Sequence, residues 1–176
     1  MRYRLDVVAS SVLDVVRYAG GWIFDRAMAG WDVTVLLADH LADAPDVRPL
    51  QILGAQTMDI EYALASVTTR PRPQALAAAA GLLGCDPRVR QGVLQALDHG
   101  VTEVTLWGES WESGLPPGFH DSVGRVEHRL SSAARTFKAR ALAAAASPTH
   151  AIEAAETFRS GLMARPSIAA DLVPAG

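Results

Sequence analysis

Three aspartates and a histidine fall within eight residues at Asp39-His40-Leu41-Ala42-Asp43-Ala44-Pro45-Asp46. They follow an apolar run, and in open α/β sheets ligands collect at the carboxyl ends of strands, where carboxylates and an imidazole can orient water or hold a divalent ion. The spacing matches no metal-loop pattern, and Asp and Pro are the ordinary residues of a solvated turn. Asp39 and His40 are therefore kept as ligand- or partner-contact candidates, and no metal is assigned.

Trp107-Gly108-Glu109-Ser110-Trp111-Glu112 places a serine after an apolar run and a glycine, as a nucleophile elbow does. That elbow needs a second glycine two residues after the serine; Glu112 stands there and a proline-rich stretch follows, so no exposed nucleophile is encoded. Two tryptophans flanked by glutamates suit a contact surface, which makes Trp107, Glu109, Trp111 and Glu112 binding candidates. The plainer reading has Trp107 ending a strand toward the core and Trp111 lying over an edge.

Gly20-Gly21 interrupts a helical pattern at a cost of about 1 kcal/mol per glycine against alanine. Gly21 falls opposite the apolar stripe, so it admits the close approach of a ligand or partner, or marks a bend. Arg125, Arg129 and Arg140 border an apolar face, but Asp121 and Glu127 dilute the stripe, and nucleic acid is not an expected partner. His120 and His128 read as surface or helix-end residues. Lys138 is the only lysine and Cys85 the only cysteine, so lysine chemistry rests on one residue and no disulfide or cysteine-based zinc site forms within the chain. The chain has no phosphate-loop motif, no Gly-x-Gly-x-x-Gly and no paired metal histidines. No catalytic residue, cofactor or metal is assigned on this basis.

These residues need elements to hold them. The spacing of Val12, Val15/Val16, Ala19 and Trp22/Ile23 predicts a helix from Ser10 to about Ala29, and a strand follows at 32–38. Leu5 to Ala9 is either a first strand or the start of that helix. A strand is expected at Pro49 to Leu53, and the short link before it argues antiparallel pairing and a mixed sheet. Thr57 is read as the cap of a helix carrying Ile60, Leu64 and Val67, and Pro73 as opening an alanine-rich helix to Leu83. Asp86-Pro87 caps a helix that ends at His99-Gly100, and 101–107 is the next strand. From Asp121, apolar residues at helical spacing through Ala144, then a second run after Pro148, predict a helical hairpin over 121–163.

The expected fold is α/β, with a small mixed, partly parallel sheet of three to four strands covered by helices and a C-terminal helical hairpin. It forms one domain over 1–165 with a flexible tail at 166–176. The helix-to-strand phrase at 22–54 is similar to those of Rossmann-like and RecA-like sheets, a similarity of fold that carries no function.

With 49% hydrophobic and 20% charged residues among 176, the chain can bury a core and stay soluble. A net charge of −3 provides no general attraction to nucleic acid or an anionic membrane. Asp6 and Asp14 break the N-terminal apolar run, and no stretch is long enough to span a bilayer, so a cytoplasmic protein is expected. Arginine and alanine richness reads as the coding bias of a GC-rich bacterium.

Poor catalytic furniture beside an alanine-faced helix and a tryptophan loop gives the leading functional expectation: a non-catalytic regulatory or adaptor domain acting through protein–protein contacts or homo-oligomerisation. The alternative is a small-molecule or nucleotide-binding domain, a degenerate Rossmann-like or RecA-like enzyme with its pocket at the carboxyl ends of strands 32–38 and 101–107. Its loops converge only if both strands end on one edge of the sheet.

Overall fold

The computed structural model describes residues 2–38, 45–66, 70–108, 123–147, 149–161 and 171–175. Its centre is β1 (Arg4–Ala9), which pairs in parallel with β2 (Asp32–Leu37) on one side and β4 (Ala75–Ala79) on the other. Beyond these lie β3 (Gln56–Asp59) next to β2 and β5 (Glu103–Trp107) next to β4, also parallel. Past β5 the direction changes. There β7 (Ala155–Gly161) runs antiparallel to β5, β6 (Gly124–Arg129) antiparallel to β7, and the two-residue β8 (Val173–Pro174) antiparallel to β6.

The result is one eight-stranded mixed sheet in the order β3-β2-β1-β4-β5-β7-β6-β8. It overturns the expectation of a small sheet of three to four strands, while the α/β class stands. Leu5–Ala9 is a strand because its residues are buried on both faces between two neighbours, as parallel strands require.

Helix α1 (Val12–Met28) runs without a break through Gly20-Gly21, is capped by the Ser11 hydroxyl on the Asp14 N–H at 3.1 Å, and stops at Gly30 (φ 89°). It packs against α2 (Arg48–Ile52) and α6 (Ser132–Ala144). The short α3 (Ile60–Ala65) follows β3, and α4 (Ala80–Cys85) and α5 (Pro87–His99) carry the chain from β4 to β5. Crossovers between parallel strands are right-handed. The paths β1-to-β2 and β4-to-β5 leave in opposite directions, so α1 and α5 cover opposite faces.

Four predicted elements change type, each for a physical reason. Pro49-Leu53 is not a strand: Pro49 sits in the first turn of α2, where its missing N–H costs nothing, and Leu50 and Leu53 are buried from that helix. Thr57 lies in β3, paired to Val35, and the helix cap is Asp59, whose carboxylate accepts from the N–H groups of Glu61 and Tyr62. The alanine-rich run 75–79 forms a strand despite its helix propensity, since β1 and β5 pair with it on both sides and Ala75, Ala77, Ala78 and Ala79 are buried between them. The helical hairpin over 121–163 does not exist: β6 and β7 are strands on either side of α6, in a period-two pattern that buries Val126 and His128 on one and Glu156, Phe158 and Ser160 on the other.

The α5 boundaries match the sequence signals, with Asp86 capping the N–H of Arg88 and Gly100 at φ 62°. Within 166–176, residues 171–175 are described; Asp171 bonds Trp22 and Arg26, and β8 extends the sheet. No helix among the described residues is long and apolar enough to cross a membrane.

Candidate functional site at the carboxyl edge of the sheet

The strand order reverses between β1 and β4, and ligands of open α/β sheets bind outside the carboxyl ends of the strands at such a switch point. A cleft of about 450 Å³ opens at that place, walled by Ser10 and Ser11 after β1, Asp14 and Tyr18 on α1, Cys85 at the end of α4, and Trp107 at the end of β5. Ser10, Ser11 and Trp107 are there because β1 and β5 end at that edge, while Asp14 and Tyr18 follow on α1 and Cys85 closes α4.

Asp14 is the one carboxylate on this wall among the described residues. It sits in the first turn of α1, where backbone N–H groups and the helix dipole favour an anion. Trp107, fully buried, donates its indole N–H to Asp14 Oδ2 at 3.2 Å and so fixes where the carboxylate points. Burial pushes the Asp14 carboxyl above its ordinary value of 3.8, against the opposing pull of the Trp107 hydrogen bond and the Arg17 charge. A half-buried, oriented carboxylate with a raised proton affinity in a cleft is the profile of a general base.

A second compartment of about 650 Å³ adjoins the first, with Tyr18 and Gly108 bordering both. Behind it a buried ion pair fastens α1 to β7. Lys138 Nζ lies 2.6 Å from Glu156 Oε1 and 2.6 Å from the carbonyl oxygen of Arg17. The Glu156 carboxylate also accepts from the backbone N–H groups of Gly21 and Trp22 at 2.9 and 2.8 Å. Burial raises the Glu156 proton affinity against the pull of Lys138 and those two N–H groups. A second buried cluster joins Arg26 to Glu103 and Asp171, and His128 to Asp25.

The predicted site residues fare unequally. Asp39, His40, Glu109, Trp111 and Glu112 lie outside the described residues. Trp107 reaches the cleft, though as a buried positioning group rather than an exposed contact. Gly21 is buried inside the fold: a Cβ there would lie 2.3 Å from Leu130 Cδ2, so the glycine admits Leu130 and the Glu156 carboxylate rather than a ligand. Arg125 and Arg129 lie on β6, not on one helix edge with Arg140, and His128 is buried between Asp25 and the Asp171 carbonyl.

Sequence reasoning misses Ser10, Ser11 and Asp14 as site residues: it reads Ser10 as a helix start and Asp14 as a break in the N-terminal apolar run. The available signal was a strand end followed by two hydroxyls and a carboxylate within one helical turn. β2 and β5 do end on the same edge, separated by β1 and β4, which meets the geometric condition set for the pocket.

The fold and cleft together define an α/β protein with an open cleft at the switch point of a mixed sheet. No protein-family model matches the chain, and no curated protein matches its sequence. Solved structures do share its fold. The A40926 pseudoaglycone deacetylase Dbv21 is 16% identical with a TM-score of 0.63, covering 91% of this chain and 96% of its own. The zinc-inhibited form of the teicoplanin deacetylase Orf2 is 13% identical with a TM-score of 0.65, covering 98% of each. GalB, the 4-carboxy-2-hydroxymuconate hydratase of Pseudomonas putida KT2440, is 15% identical with a TM-score of 0.53, covering 90% of this chain and 95% of its own.

At these identities the likeness is one of fold. Because nearly the whole chain follows the fold of catalytic proteins, the expectation of a non-catalytic regulatory or adaptor domain acting through protein–protein contacts is corrected. Zinc is named with one neighbour, yet among the described residues no group of three His, Cys, Asp or Glu side chains converges to hold an ion. The described donors on the cleft wall, Ser10, Ser11, Asp14 and Cys85, do not make a metal centre.

Proposed function

We propose that this chain is an enzyme that binds a small molecule in the carboxyl-edge cleft and adds water to a polarised double bond of it, with Asp14 as the general base. The observation that carries the proposal is the Asp14 carboxylate, held by Trp107 at the switch point of the sheet with its proton affinity raised by burial. The names of the structural neighbours support the reaction class, because deacetylation by water and hydration both begin with attack of water on an electron-poor carbon.

In that step Asp14 takes a proton from water as the new C–O bond forms, and the π pair moves onto the ligand. With an N-acetyl group, the C–N bond then breaks, Asp14 returns the proton to the departing nitrogen, and acetate leaves. Ser10 and Ser11 border the cleft where the ligand's polar atoms need donors.

The test uses purified protein with p-nitroacetanilide, followed by release of p-nitroaniline, and with 2-hydroxymuconate, followed by loss of diene absorbance. Turnover of one probe is expected, reduced by about 10²–10⁴ in Asp14→Asn with an unchanged circular-dichroism spectrum. Turnover of neither probe, or equal turnover by Asp14→Asn, overturns the proposal.

A further inference from the structure

Attack of water on a polarised double bond calls for two groups, a base that takes the water's proton and a donor aimed at the atom that receives the π pair. Asp14 lies one turn before Arg17 and Tyr18 on α1, and residues three and four apart are neighbours on a helix surface. This face of α1 therefore runs from the Asp14 cleft into the adjoining compartment, which Arg17 and Tyr18 both line. Asp14 feels the Arg17 charge across that turn.

The link from α6 to β7 brings His150 to the same place. Its backbone N–H meets the Ser147 carbonyl oxygen at 3.4 Å, and its ring Nδ1 lies 3.3 Å from Arg17 Nη2. A guanidinium has donors only, so in this contact Nδ1 is the acceptor and the ring proton sits on Nε2. Among the described residues Nε2 has no hydrogen-bond partner, and the half-buried ring lines the compartment. The backbone of Arg17 is itself pinned, because Lys138 Nζ lies 2.6 Å from its carbonyl oxygen while paired with the buried Glu156. One tautomer of the imidazole is thus held from a fixed turn, with its N–H left for the cavity.

We propose that His150 is a second catalytic residue, whose Nε2–H donates a hydrogen bond to the oxygen that takes the π pair as water adds beside Asp14. The inference rests on the functional reading above and adds to it the group that stabilises the developing charge. It also narrows the substrate class: the double bond is a carbonyl or is conjugated with one, so that the displaced pair ends on oxygen. As the new C–O bond forms, Asp14 takes the water's proton and the π electrons move onto that oxygen. The Nε2–H bond does not break; its contact shortens as the oxygen becomes negative and relaxes when the carbonyl re-forms. Base and donor each need to lie about 3 Å from their own oxygen, on either side of one carbon, and the single turn between Asp14 and Arg17 suits that spacing.

Two measurements on the full chain test the proposal. In long-range ¹H–¹⁵N correlation spectra above the ordinary titration range of histidine, with the His150 signals assigned by their loss in His150→Gln, the ring should show a protonated Nε2 and a bare Nδ1. Arg17→Gln should let the other tautomer appear. A protonated Nδ1 in the parent protein overturns the proposal whatever the activity. In turnover of p-nitroacetanilide or 2-hydroxymuconate, His150→Ala should lower kcat by about 10²–10³-fold with little change in KM, and His150→Gln, which keeps an N–H donor, should recover part of the loss. Should His150→Ala fail to fold, His150→Phe, which keeps a ring and removes the donor, takes its place. A loss carried by KM alone, or a parental kcat in the folded donor-less variant while Asp14→Asn is impaired, overturns the role of His150 and leaves that of Asp14. Turnover of neither probe by the parent protein overturns both.

Discussion

Strands β1, β2, β4 and β5 bury apolar side chains almost throughout, with Leu5, Val7, Val35, Ala77 and Leu106 inaccessible to solvent. On the antiparallel side, β6 and β7 bury His128, Glu156 and Ser160 alongside Val126 and Phe158, and α6 adds the buried Lys138. The parallel half is held by area removed from water. The antiparallel half is held to α1 by partnered charges, a device whose net stabilisation is small but whose failure is costly, because a lone buried charge has nowhere to go. The two buried carboxylates of the parallel half, Asp6 with Arg70 and Glu103 with Arg26, lie toward the amino ends of their strands, away from the cleft. The cleft thus sits where an apolar scaffold meets a charged brace.

The sharpest way to break this contrast is Lys138→Met, which strands the Glu156 carboxylate. A loss of about 3–5 kcal/mol is expected in urea unfolding at neutral pH. The loss should shrink on acidification, since Glu156 takes up its proton at a pH above its ordinary 4.5 and then needs no partner. Adding Glu156→Gln to Lys138→Met should recover most of the stability. Leu106→Ala in the parallel half should cost about 2–5 kcal/mol through a cavity, with no such pH dependence. If both variants respond alike to pH, the distinction between the halves is wrong.

A smaller effect is expected at Gly21. Gly21→Ala gains about 1 kcal/mol of helix propensity but forces Leu130 and α6 outward, and overpacking of this kind costs about 1–3 kcal/mol. A net loss of about 1 kcal/mol should appear in thermal unfolding.

The two carboxylates on Arg26 sharpen the sign of pH effects within the brace. Burial raises Glu103 above 4.5 despite Arg26, so its contribution is full below that value and lost as pH rises through the folded-state value. For Asp171 burial acts in the same sense, but Arg26, Trp22 and His128 outweigh it and hold the carboxyl below 3.8. Its contribution is present above 3.8 and lost as pH falls through the lower folded-state value. Asp171→Asn should therefore flatten the acid-side loss of stability, and Glu103→Gln the loss on the rising side, both read from pH-dependent urea midpoints.

The smallest effect expected is a shift of the acid limb of turnover. The proposed base Asp14 has to be deprotonated to act, so the expected turnover falls as pH drops through a value above 3.8. Trp107→Phe removes a hydrogen bond that lowers this value, and the limb should move to higher pH by about half to one unit.

The legible elements share one property: their pattern is local. The α1 stripe, its Gly30 stop, the apolar run at 32–37 and the Asp86-Pro87 to Gly100 helix each carry their own period and caps. The misread elements lack it. The alanine-rich run 75–79 favours a helix in isolation and becomes a strand only because β1 and β5 flank it. His128 looks like a surface or helix-end residue until Asp25 and the Asp171 carbonyl are seen to receive it. Asp14 had no visible partner in sequence because Trp107 is 93 residues away.

From its sequence alone the chain determined its α/β class, the apolar strands β2 and β5 and its best-capped helices, because hydrophobic period and cap chemistry act within a few residues. Only the tertiary structure decided that the sheet has eight strands, that charges are buried on its antiparallel side, and that Asp14 faces a cleft. A charge or an alanine run takes its state from what packs against it, and those partners come from distant parts of the chain.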